Sequence, residues 1–318
     1  RTETEKKGES VRTRIGLREG QSLAIRFSGR HHGHPSSACG LPPASDLYGS
    51  RIPLGEKWEF RTREDNLFLP ELHARKDPLG KGEKEKWYTL PINGNWEKAF
   101  HGKLPSGFTM EESPFYWVSG TFCLSYEPEK LSFIADSGDW TRLFINGLDA
   151  GRPSGSALWD RENVVFNIRR LCRKGENRFD FLVKSSRWRS WKEDLPGFSQ
   201  KDYIEPAVIG GDFAVRKVTG GFMLEPPGRV MDNRGWNGSG YPHFAGTGIY
   251  SRDLDLPEIP DRPRLVVESA FSTAEVRING RSAGIRAWKP YVFDISRMLK
   301  KGRNRIEIRV TNSLGNIL

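Results

Sequence analysis

The chain carries one β-rich segment twice, and the second copy closes the sequence. The first copy runs through Ser119-Gly120-Thr121, Ile145-Asn146-Gly147 with Ala150-Gly151, Val165-Phe166-Asn167-Ile168 and Lys174-Gly175-Glu176-Asn177-Arg178-Phe179. The second keeps the order: Gly246-Thr247, Ile278-Asn279-Gly280 with Ala283-Gly284, Val292-Phe293-Asp294-Ile295 and Lys301-Gly302-Arg303-Asn304-Arg305-Ile306. Ile278 follows Ile145 by 133 positions and Val292 follows Val165 by 127, so copy one holds six more residues between hairpin and Val-Phe strand. A period this long is a duplicated domain, since solenoid units repeat every ~20–50 residues. A chain of 318 residues is long enough for two filled cores.

Local patterns agree on an all-β chain. Arg305-Ile306-Glu307-Ile308-Arg309-Val310 alternates charged and apolar residues, as a half-buried strand does. Asn146-Gly147 and Asn279-Gly280 are type I′ hairpin turns, because both central residues of that turn need positive φ. Arg169-Arg170-Leu171-Cys172 and Ser296-Arg297-Met298-Leu299 are each expected to make one helical turn, before a Lys-Gly-x-Asn turn into the last strand. Gly211-Asp212-Phe213-Ala214-Val215 is expected to be one strand of copy two. Many short strands, frequent turns and no long amphipathic helix predict antiparallel sandwiches or jelly rolls. Ahead of them, Val11–Leu17 and Ser22–Phe27 read as a β-hairpin, 28–57 as a loop, Trp58-Glu59-Phe60-Arg61 and Leu67-Phe68-Leu69 as short strands, and Lys76–Lys86 as a linker. The expected division is 1–86 as a partial β-segment, loop and linker, 87–202 as the first sandwich and 203–318 as the second.

Composition narrows the partners. The net charge is +10, but lysine and arginine are interleaved with 40 acidic residues along the whole chain, so a solvated basic face is expected and not a nucleic-acid site. No apolar run is long enough for a membrane span. The charged start Arg1-Thr2-Glu3-Thr4-Glu5 is no signal peptide, and with no initiator Met a fragment or a processed product is expected. Three cysteines, Cys39, Cys123 and Cys172, lack the spacing of a zinc site or a disulfide framework and read as small hydrophobes. His31, His32 and His34 sit in a Gly/Pro-rich stretch without a carboxylate or thiolate at ligand spacing, which fits a surface loop better than a metal site.

Taken in order, the motifs of copy two resemble the galactose-binding-like jelly-roll domains that accompany glycoside hydrolases. They are Gly246-Thr247, Val276-Arg277-Ile278-Asn279-Gly280, Trp288-Lys289-Pro290-Tyr291-Val292-Phe293-Asp294 and Gly302-Arg303-Asn304-Arg305-Ile306. Copy one keeps the Asn-Gly hairpin and the Gly-x-Asn turn but has Leu158-Trp159-Asp160-Arg161-Glu162 in place of Trp-x-Pro-Tyr. The join from Ile204 to Val215, with Gly240-Tyr241-Pro242-His243-Phe244-Ala245, resembles the C-terminal β-region of α-L-rhamnosidase-type enzymes; the sugar-binding domain of the β-galactosidase/β-glucuronidase family is the other kin of this pattern. The resemblance implies a non-catalytic C-terminal region of a glycoside hydrolase, whose partners are carbohydrate and the catalytic domain of the parent chain. It allows a structural calcium as cofactor, with no ligand residues assigned.

Catalysis by the chain alone is not expected. Glycosidases need two carboxylates facing across a sugar, ~5–10 Å apart. In the families resembled they sit on a (β/α)₈ barrel, and this chain has no βα alternation. Asp136, Asp139, Asp160, Glu162, Glu205 and Asp232 therefore read as loop acids. Sugar binding asks for aromatic faces and polar groups on loops. The candidate carbohydrate-binding residues are Trp236, Tyr241 and His243 in one Gly-rich loop and Trp159, Asp160 and Arg161 in another, with Trp188 and Trp191 as a third place to look. Trp117 and Trp288 are expected to fill or cap a core. The alternatives to a glycosidase accessory region are a free-standing protein-interaction module, a nucleic-acid-binding protein and a glycosidase site within the chain.

Overall fold

The structure is a computed structural model that describes residues 2–7, 10–15, 52–98, 108–110, 113–136, 140–157, 161–184, 202–204, 207–231, 235–270 and 272–313. It is an all-β protein whose sheets are antiparallel, as the alternation predicts, apart from the parallel pair of Gly221–Glu225 with Phe115–Leu124. Contacts divide the chain into two compact units, Arg1–Glu56 with Arg252–Val310, and Lys57–Ser251 with Thr311–Leu318. Strands Val208–Gly211 and Gly221–Glu225, expected in copy two, hydrogen-bond to strands Leu131–Asp136 and Phe115–Leu124 of copy one.

The larger unit is a sandwich. One sheet has the order Leu148–Asp149, Trp140–Ile145, Gly175–Lys184, Phe115–Leu124, Gly221–Glu225, Ala214–Val218, with Leu72–Lys76 also paired to Phe115–Leu124. The other runs Gly155–Ser156, Asn163–Asn167, Leu131–Asp136, Val208–Gly211, Asn66–Phe68. Alternation sends Phe179, Phe181 and Val183 into the core with Phe133, Phe166, Leu143 and Ile145. Phe133 is the hub, with ring centroids 5.1 Å from Phe179 and 5.5 Å from Phe181. The strand expected over 211–215 is broken. Asp212 accepts hydrogen bonds from the Lys130 amide at 2.9 Å and the Glu129 amide at 3.3 Å, and a Cβ on Gly211 would stand 2.4 Å from the Lys130 carbonyl oxygen. The chain turns there and passes from one sheet to the other.

In the smaller unit, strand Thr273–Ile278 lies between Arg281–Arg286 and Gly302–Thr311 in one sheet, and Arg264–Val267 pairs with Tyr291–Asp294 in another. Val276, Ile278, Leu265, Phe293 and Ile306 are buried, and Asn304 is the buried polar residue among them. At the N-terminus, Ser10–Ile15 pairs with Thr2–Lys7, so the charged start supplies the partner strand expected from 22–27, which lies outside the described residues.

Both Asn-Gly hairpins have the expected backbone, with φ of 51° and 78° at Asn146 and Gly147 and 52° and 81° at Asn279 and Gly280. Each asparagine also does a second job. Asn146 donates through Nδ2 to the Leu171 carbonyl at 2.9 Å and to Asn177 Oδ1 at 3.0 Å, and accepts from the Arg178 amide at 3.0 Å. Asn177 accepts from the Arg173 amide and donates to the Arg173 and Gly175 carbonyls. Asn279 and Asn304 repeat the set with Met298, Arg305, Lys300 and Gly302. Asn177 and Asn304 are fully buried and use both donors and two acceptor sites, so nothing polar is stranded. Arg169–Leu171 is the expected short helical turn, whereas Ser296–Met298 is a hydrogen-bonded turn.

Asn177→Asp is nearly isosteric but turns two donors into acceptors facing the Arg173 and Gly175 carbonyls. It is expected to cost about 2–4 kcal/mol, read by urea unfolding. Phe133→Ala is expected to cost about 3–5 kcal/mol by the same measurement.

Candidate functional site

The aromatic loop read as a sugar platform is packed inward. Tyr241 is 2% exposed and meets Phe60 edge-on at 5.2 Å and Phe244 at 6.0 Å. Burial pushes its phenol up to about 12. Trp236, half-buried, lies T-shaped against Phe244 at 5.1 Å and donates through Nε1 to the Tyr250 hydroxyl at 2.5 Å. The ring fits because strand residue 248 is glycine: a Cβ there would be 2.6 Å from the Trp236 ring. The Gly246-Thr247 strand start is tied down by Glu64 Oε2, which accepts the Thr247 amide at 2.6 Å, and by Asn312, which accepts the Gly246 amide at 2.8 Å. Tyr241 thus belongs to a core with Phe60, Phe244 and Met231, and the partly buried Trp236 packs against it. His243 is half-buried in the following turn.

In the second candidate loop Arg161 is exposed, and Trp159 and Asp160 lie outside the described residues. So do Trp188, Trp191, Asp139, Glu205, Asp232, Cys39 and the three clustered histidines. Trp117 is fully buried, as expected, and Trp288 is 40% exposed. Cys123 and Cys172 are free and partly buried, and burial pushes the Cys172 thiol up to about 12. Among the described residues no group of three or more histidine, cysteine, aspartate or glutamate side chains is placed to hold a metal. No described helix is long and apolar enough to cross a membrane.

The structure instead assembles a second buried layer on the outer face of the larger unit's long sheet. Trp117, Phe144 and Leu182 point away from the main core and are covered by Trp87 and Trp96, with Tyr88 and Ile92 at the edge. Tyr88 stacks on Phe144 at 3.8 Å and 4°. The Arg75 guanidinium lies 3.4 Å over the Trp87 ring. Lys76–Lys86, expected to be a linker, is a folded turn. The buried Asp77 carboxylate accepts the Lys81 and Gly82 amides, each at 2.8 Å, and Trp117 Nε1 at 3.2 Å. Its close fit shows at Gly82, where a Cβ would meet Trp117 Nε1 at 2.1 Å. The sequence signal for this layer is Leu182 itself, an apolar residue in alternation with Arg178 and Asp180 on the face expected to be wet.

At the margin of that layer sits a buried acid. Asp180 Oδ1 accepts from Arg178 Nη2 at 2.5 Å and from Nε at 3.1 Å, and Nε also reaches Ser119 Oγ at 3.1 Å. Arg178 donates as well to the Leu90 carbonyl, which fastens the covering segment to the sheet. Asp180 Oδ2 and Trp96 Nε1 are buried without a hydrogen-bond partner. Burial, only partly offset by Arg178, pushes the Asp180 carboxyl up to about 6. An acid whose folded value is raised destabilises the fold when ionised, so its contribution improves as pH falls from about 6 towards the ordinary carboxylate range. Asp180→Asn is therefore expected to flatten the stability profile between about pH 6 and 4, removing a rise of about 1–3 kcal/mol seen by urea unfolding of the unsubstituted chain.

No family model and no curated protein matches the chain. Among solved structures it is similar to a β-glucuronidase of Ruminococcus gnavus at 12% identity and TM-score 0.29, over 83% of this chain and 40% of that one. It is similar to the Streptomyces avermitilis α-L-rhamnosidase complexed with L-rhamnose at 10% identity and TM-score 0.31, over 80% of this chain and 34% of that one. An uncultured Clostridium sp. β-glucuronidase matches at 11% identity and TM-score 0.31, over 82% of this chain and 45% of that one. The chain thus spans less than half the length of each.

Proposed function

We propose that this chain is a galactose-binding-like, jelly-roll β-sandwich region of a glycoside hydrolase, and that it works as a scaffold for the catalytic domain. The family resemblance rests on motifs that turn out to be the working parts of the fold. The Asn-Gly hairpin and the Gly-x-Asn turn form the same hydrogen-bonded unit in both copies. The observation that supports a scaffold over a sugar platform at this loop is the packing of Trp236 and Tyr241. The Trp236 indole packs against Phe244 and bonds Tyr250, and the Tyr241 phenol is 2% exposed, which leaves little aromatic surface for a sugar ring. A fold of this class does not by itself name a substrate. Glycan binding is retained as a second reading for the loop at Trp159, Asp160 and Arg161, because Arg161 is exposed and copy one is longer there. Nucleic acid has no part in either reading.

The test separates packing from binding. Trp236→Ala is expected to lower the melting temperature of the full chain while leaving any response on a glycan array unchanged. Saturable glycan binding that is lost in Trp236→Ala at an unchanged melting temperature would refute the scaffold reading. So would hydrolysis of aryl glycosides by the chain that one aspartate or glutamate substitution abolishes.

A further inference from the structure

In the smaller unit a shallow depression of about 370 Å³ opens beside the Asn279 hairpin, lined by Asp253, Asn279, Lys300, Arg303 and Arg305. The three cations outnumber its single carboxylate. Lys300 and Arg303 are on the surface, the Arg303 side chain 78% exposed, and both stand on a turn that is already fixed. Asn304 holds that turn by accepting the Lys300 amide at 2.9 Å and donating to the Lys300 and Gly302 carbonyls at 2.7 and 2.8 Å. A ligand meeting this rim pays little to order the backbone beneath it. Asp253 binds Arg303 at 2.6 Å and lies 3.5 Å from Arg305, and these partners hold its carboxyl below the ordinary value.

Copy one provides an internal comparison. Its asparagine unit is the same, but the position of Arg303 is taken by Glu176, and Arg178, at the position of Arg305, is engaged by Asp180, Ser119 and Leu90. The position of Lys300 is basic in copy one as well, as Arg173, so what sets copy two apart is Arg303 in place of Glu176 and an Arg305 turned to Asp253. A pocket of this volume suits a small ligand of one or two rings. Arg303 and Arg305 meet at Asp253 and Lys300 lines the same depression, with no aromatic face in the lining. A nucleic-acid strand instead asks for a line of phosphate contacts or stacking platforms. The Asp253 carboxylate can also accept hydrogen bonds from the hydroxyls of a sugar.

We propose that this depression binds a sugar unit bearing a carboxylate or sulfate group, with the anion against Lys300 and Arg303 and hydroxyls against Asp253. The choice of a sugar rests on the carbohydrate reading above. The test measures binding of the full chain to polygalacturonic acid, dextran sulfate, neutral dextran and a short DNA duplex by biolayer interferometry near physiological salt. At least one polyanionic polysaccharide is expected to bind, and which of the two it is names the anionic group; neutral dextran is expected not to bind. Lys300→Glu with Arg303→Glu is expected to weaken binding about tenfold or more, while Arg303→Lys largely preserves it. Lys84→Glu with Lys217→Glu makes the same charge change at exposed positions elsewhere and is expected to matter by less than about twofold. Thermal melts of all variants should coincide. The proposal is overturned if neither polysaccharide binds, if both double variants weaken binding alike, or if DNA binds more tightly than both polysaccharides. Those failures would leave the Trp236 result, and with it the scaffold reading, untouched.

Discussion

Two asparagine side chains that hydrogen-bond to each other hold each unit together. In the larger unit Asn146 sits at a hairpin tip and Asn177 just inside the last strand, and Nδ2 of the first donates to Oδ1 of the second at 3.0 Å. The pair also takes hold of Leu171, Arg173, Gly175 and Arg178 through their backbone groups. The hairpin at Asn146 and the stretch 171–178, whose Leu171 lies 25 residues on, are thereby locked into one register. Register matters because a slip of one residue would turn every side chain of a strand to the opposite face. With Arg178 fixed against Asn146, Phe179 and Phe181 must face the main core, and Asp180 and Leu182 must face the other way. Asn279 and Asn304 set the strand beginning at Gly302 by the same bonds, none of which differs by more than 0.2 Å between copies.

Around that shared fastening the two copies have diverged on one sheet face. Two residues before the hairpin asparagine stands Phe144 in copy one and Arg277 in copy two; five after the strand asparagine stand Leu182 and Arg309. The first choice makes a sheet face that needs a cover, and the folded turn on Asp77 with Trp87 and Trp96 supplies it. The second makes a charged face, on which Arg309 pairs with Glu307 at 2.7 Å and with Glu275 at 3.6 Å, and Arg277 with Glu275 at 3.4 Å. Partly exposed ion pairs of this kind add little stability, so that face is free to vary in charge without endangering the fold. A buried layer on one copy and a basic depression on the other are thus separate elaborations of one fastening.

The sequence shows the fastening plainly, because Asn-Gly and Gly-x-Asn are local signals whose geometry follows from backbone sterics. The short strands at Trp58 and Leu67 are equally legible. What it hides is direction. A Gly-rich aromatic loop such as 235–244 looks the same whether its rings face water or core, and only Gly248, a glycine within a strand, hints that a ring lies against it. The charged composition of Lys76–Lys86 suggested a linker, although its order comes from the single buried carboxylate of Asp77 and its fit against Trp117. The basic depression is invisible in a chain whose cations are spread evenly, since it depends on which of them the hairpin brings beside Asp253.

The account stands on the two asparagine pairs being structural cores and not surface turns. Amide hydrogen exchange of the full chain measures this directly at Arg178 and Arg305, whose N–H groups donate to Asn146 and Asn279 at 3.0 Å. Both are expected to be protected to the level of the most stable strand amides of their own unit, opening only with its unfolding. Exchange of either at the rate of exposed loop amides would contradict it.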